Sequence, residues 1–96
     1  DLIEKIEQGK DLSNINLSNL DMSGLNLKGA ILKGSVIENA NFSNVNFSKA
    51  NLENVVFRNT NLTNTNFSEA NLENTNFSFS DIEEANFSNV KGHYII

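Results

Sequence analysis

His93 is the only histidine in this 96-residue chain, and there is no cysteine. A nucleophilic triad needs a base and an orienting carboxylate around its nucleophile. A zinc site needs several His or Cys ligands together. One histidine in the stretch after Asn89 supplies neither. The carboxylates offer two pairs: Glu53 and Glu73, twenty residues apart, and Glu83 and Glu84, adjacent. General acid–base work needs environments that drive two pKa values apart. These acids fall at polar, outward positions, so a solvated surface is the expectation. There is no EF-hand loop or glycine-rich phosphate loop, and no nine-residue calcium repeat. The residues therefore predict no catalytic machinery, no metal and no cofactor.

Composition narrows the partners. The formal net charge is −5, which disfavours a nucleic-acid backbone and an anionic membrane surface. No apolar run approaches the ~20 residues of a membrane span. No signal peptide is visible; because the sequence starts at Asp1 without Met, a removed targeting segment stays open. Seven Asn-x-Ser/Thr sites occur, at Asn16, Asn41, Asn46, Asn61, Asn66, Asn76 and Asn86. Glycans at that density would obstruct a packed tower, so they favour a bacterial or cytoplasmic setting.

What must position all of this is a five-residue repeat. A large apolar residue returns at every fifth position from Leu12 to Phe87, sixteen times without a miss. With that residue third in each unit, the first position is small or aliphatic in fifteen of sixteen, Lys10 being the exception. The second is Asn or Asp in thirteen. Such phasing overrules the disorder that 19 asparagines would otherwise suggest. A period of five fits neither a helix nor a strand. The chain must turn once per unit, and Asn, Asp, Gly and Ser tolerate turns. A coil that turns every unit and stacks on itself is a solenoid.

Units such as ANLEN, ANFSN and TNLTN resemble the pentapeptide-repeat family over residues 10–89. The resemblance implies an all-β, right-handed quadrilateral β-helix of about four coils, and stacking by twenty residues. Phe67 then lies between Phe47 and Phe87, and Asn26, Asn46, Asn66 and Asn86 form one column. Stacked amides can bond along the tower or to local turn backbone. First-coil Ile15, Leu20 and Leu25 fill interior space that Phe fills later.

Residues 1–9 are predicted to form a short helical cap. Leu2, Ile3 and Ile6 share one face, Asp1 and Glu4 have capping-box spacing, and Gly9 is the stop. Lys10 is expected to snorkel outward. The pattern fails after Phe87. The tail, residues 90–96, has three readings: a fold-over onto the last coil, contact with a second subunit as in an end-to-end homodimer, or the cut end of a longer protein.

Departures from the motif are the candidate sites. Ile31, Val36 and Val56 stand where Asn or Asp is the rule, and Phe79 occupies an outward fifth position. The twenty-residue register puts Val36, Val56 and Phe79 on one face around Arg58, with Ile31 on the next. Clustered exposed apolar residues mark a partner surface. The acids form the second candidate. Residues 50–89 carry six acids against Arg58, a net of −5, whereas residues 10–49 net +1. Some proteins of the resembled family mimic duplex DNA and bind DNA gyrase in its place. That reading selects Glu53, Glu73, Glu83 and Glu84, but the chain is short, acidic in one half only, and lacks an interrupting loop. The favoured expectation is a non-catalytic protein-interaction or scaffold module.

Overall fold

A computed structural model of the chain describes residues 2–9 and 11–96. It opens with helix α1, Leu2–Glu7. Glu4 lies in its first turn and Lys5 in its last, both favourable to the helix dipole. Gly9, at φ 72°, ends it, with its N–H donating to the Ile6 carbonyl at 3.0 Å. Only Ile6 enters the core, at 1% exposure; Leu2 and Ile3 stay more than a third exposed. The helix therefore seats one side chain, where the sequence suggests three. Asp1 of the expected capping box and the snorkelling Lys10 lie outside the described residues.

From Asp11 onward the chain is a β-helix solenoid. Second-position residues pair in parallel with those twenty further on: Asp11 with Ile31, Asn26 with Asn46, Asn46 with Asn66, Asn66 with Asn86. A twenty-residue coil therefore holds four units. Most units close on a turn in which the next unit's first N–H returns to the third-position carbonyl, as from Ala50 to Phe47 at 3.0 Å, whereas the N–H groups of Ile15, Ala40 and Thr60 donate to a first-position hydroxyl one coil on. The fifth position of every unit from Asn14 to Asn89 has positive φ, between 50° and 75°. A type II turn has a positive φ at that place, where Gly and Asn are favoured. The second-position asparagine braces the same turn. Its Oδ1 accepts the N–H two residues on, at 2.9 Å in Asn46–Ser48, Asn66–Ser68 and Asn86–Ser88. Of the two roles open to these amides, the structure shows the local one.

The interior is the column of third positions. Phe67 is fully buried, its ring stacked on Phe47 at 5.7 Å and on Phe87 at 5.3 Å. First-position hydroxyls also point inward. Thr65 donates to the Phe42 carbonyl at 2.9 Å, Thr75 to Leu52 at 2.7 Å and Ser80 to Phe57 at 2.9 Å. They fill first-position space and leave no buried side-chain polar atom unsatisfied among the described residues. The filling thins at the ends. Leu20, expected inside, is 38% exposed, and Leu12, Ile82 and Phe87 are half-buried. They belong to the first and last coils, where a full coil covers them on one side only.

After Phe87 the tail keeps the ladder for one pair and then shifts register. Lys91 still pairs with Asn71 in register, but Ile95 pairs with Asn76, nineteen residues away. One residue has been dropped. Gly92, at φ 86°, makes the tightened corner, where a Cβ would run into the Glu73 backbone at 2.7 Å. The slip turns Tyr94 inward onto Phe87, stacked at 5.3 Å. Ile95 and Ile96 remain exposed.

Candidate functional site

The irregular face has valine where the repeat has asparagine at two stacked second positions. Val36 and Val56 cannot brace the turn as asparagine does. There the single bridges lengthen into two three-residue strands, β1 (Val36–Glu38) and β2 (Val56–Arg58), paired in parallel. Val36 lies against Val56 and Glu38 against Arg58 in the register. Glu38 takes a brace from the coil before, its N–H donating to the Ser18 hydroxyl at 3.0 Å.

Phe79 stands at a fifth position on the same side, with φ 63° and 76% of its surface exposed. The Arg58 guanidinium lies over its ring at 5.3 Å. Val36, Glu38, Val56, Arg58, Asn76, Ser78 and Phe79 line a groove of about 420 Å³. Four of the five predicted partner-surface residues are thus brought together. Ile31 is not: it pairs between Asp11 and Asn51, in the neighbouring column. Sequence reasoning missed Glu38, and its opposite charge one coil before Arg58 was the available signal.

The acidic candidates separate. Glu53 lies 3.8 Å from the Lys33 ammonium. Glu73 accepts the His93 N–H at 3.1 Å and stands 4.0 Å from its Nδ1. Glu83 and Glu84 are exposed two units on, across a four-unit coil. The four acids do not form one surface. Elsewhere Asp11 and Asp21 are held below the usual carboxylate pKa by hydrogen bonds from Ser13 and Ser23, the Ser13 hydroxyl leading in the first and the Ser23 N–H in the second. No group of three or more metal-ligating side chains occurs among the described residues. No helix there is long and apolar enough to cross a membrane.

Parallel ladders at a twenty-residue offset, phenylalanines stacked within and asparagine-braced turns outside define a repeat solenoid. A family model described as a pentapeptide repeat region matches residues 10–87, and the chain belongs to the pentapeptide-repeat family. No curated protein matches it by sequence. Among solved structures, HetL from the cyanobacterium Nostoc sp. strain PCC 7120, a pentapeptide-repeat protein involved in heterocyst differentiation regulation, is similar at 19% identity. The TM-score is 0.57 over 86% of this chain and 45% of HetL. Rfr23 from the cyanobacterium Cyanothece 51142 is 25% identical over 88% of this chain and 63% of its own, with a TM-score of 0.49. QnrB1, a plasmid-mediated fluoroquinolone resistance protein, is 15% identical over 80% and 57%, with a TM-score of 0.42. The chain spans roughly half to two-thirds of the length of these structures.

Proposed function

We propose that the chain is a non-catalytic protein-interaction module whose contact face is the Val36–Val56–Phe79–Arg58 groove. The scaffold in this reading is a right-handed quadrilateral β-helix of four coils over residues 10–89. Residues 1–9 cap the first coil, and residues 90–96 close the last. The observation that carries the reading is Phe79. A bulky side chain at positive φ is unfavourable, and so is leaving an aromatic in water. Phe79 bears both, where asparagine or glycine would bear neither. Strained outliers mark functional positions, and aromatics anchor interfaces.

The test is a photo-crosslinking phenylalanine analogue at position 79, compared with one at Asn19, a fifth position of the same column. A discrete protein adduct at 79 and none at 19 is the expected result in the source cell. Equal adducts, or none, contradict the face. DNA-mimicking modulation of gyrase is the second reading. The cluster Asp81, Glu83 and Glu84 favours it, while the partners of Glu53 and Glu73 count against it. A supercoiling assay decides, since a mimic inhibits or protects gyrase and an unrelated module does neither. Exposed Ile95 and Ile96 leave an end-to-end homodimer within the proposal, and sedimentation across a concentration series tests it.

A further inference from the structure

We infer that the groove takes an extended segment of a partner protein in which an acidic side chain stands two residues from an aliphatic one. This rests on the interaction reading above and names its ligand. Val36 and Val56 are stacked one coil apart, about 4.8 Å. They give an apolar floor sized for one aliphatic side chain. Arg58 is two residues beyond Val56 on β2, so both project to the same side of the strand. An extended peptide also shows residues i and i+2 on one side, and the spacings match.

The charge follows from what Arg58 does not do. Glu38 is its register neighbour, yet the guanidinium rests on Phe79 instead. Among the described residues the ammonium or guanidinium groups make one ion pair, Lys33–Glu53, and the His93 ring stands 4.0 Å from Glu73. Arg58 is thus a fixed cation without an acid, the only basic residue between Ala50 and Asn89. A guanidinium stacked on a ring keeps its in-plane donors for a two-pronged grip on a carboxylate. Asn76 spends its oxygen on the Ser78 N–H at 2.8 Å and keeps its NH2 for a ligand carbonyl. Glu38 sits one coil before Arg58 and repels an acid placed on that side. The ligand carboxylate therefore sits on the Phe79 side of Arg58.

The probes are three capped tripeptides, acetyl-Asp-Ala-Leu-amide and its Asn-Ala-Leu and Asp-Ala-Ala counterparts, titrated by NMR. The first should shift the amides of Val56, Arg58 and Phe79. The other two should bind at least ~5-fold more weakly, the scale of a charge-assisted contact or a lost aliphatic anchor. Arg58→Gln should bring the Asp peptide to the level of the Asn peptide, with Arg58→Lys falling between. Glu38→Gln should tighten it by ~2-fold. Equal binding of the Asp and Asn peptides, an Arg58→Gln protein that binds as before, or no shifts at millimolar peptide would each overturn the inference. If that happens while the adduct at position 79 persists, the ligand chemistry is wrong and the face stands. Loss of the adduct removes the face itself.

Discussion

Four fifth-position residues, Lys49, Glu69, Phe79 and Glu84, occupy left-handed backbone without being Asn or Gly. Each costs roughly 1 kcal/mol relative to glycine. Lys49→Gly should therefore stabilise the protein by ~0.5–1 kcal/mol in urea unfolding. In the interior, Phe67→Ala removes a ring that stacks on both sides, and a loss of ~3–5 kcal/mol is expected. A loss under ~1 kcal/mol would contradict the stacked register. Asp11 and Asp21 have folded pKa values below the ordinary 3.8. Their contribution is present above that value and disappears as pH falls through the lower folded values. Asn accepts the same turn bond without titrating. The double variant Asp11→Asn, Asp21→Asn should flatten the acid side of the stability–pH curve, read from thermal midpoints between pH 2 and 5. An unchanged slope would show that these turns do not set it.

At the scale of the element, the unit is a turn with one side chain inserted. The third-position pattern and the interior place of the first were legible, because burial reads directly as hydrophobicity. The fifth-position turn was less so. Asn, Gly, Lys, Glu and Phe share no chemistry there, and only φ unites them. The strands β1 and β2 were hidden for a related reason. Val36 and Val56 read as misplaced apolar residues, and nothing in that reading separates them from Ile31, which also lacks the asparagine brace but stays a single bridge. Thr75 shows how polar atoms enter the core safely, by donating to the Leu52 carbonyl. Thr75→Val leaves that oxygen with one fewer partner and should cost ~1 kcal/mol. A neutral result would show the bond to be dispensable.

For the whole molecule, the solenoid and its twenty-residue stacking were legible because sixteen units agree. The ends were not, since the repeat says nothing about what covers it. Leu20 is exposed where the pattern puts it inside, and the tail rejoins the ladder after dropping one residue at Gly92. The candidate site was half legible. Val36, Val56, Arg58 and Phe79 converge as the register requires, while Ile31 lies in the next column and the acids fall into two separate pairs, Glu53 with Glu73 and Glu83 with Glu84. What sets Phe79 apart is its setting, positive φ with three-quarters of its surface exposed. It is an exposed aromatic at a position built for asparagine, on a surface whose other turns are polar. Equilibrium urea unfolding of Phe79→Asn tests most directly whether the fold needs it. If Phe79 is kept for a partner, the variant is more stable by roughly 0.5–1 kcal/mol, through relief of backbone strain. If the variant is instead less stable by ~1 kcal/mol or more, Phe79 is there to pack on Arg58 and Val56, and the groove loses its claim to be a contact face.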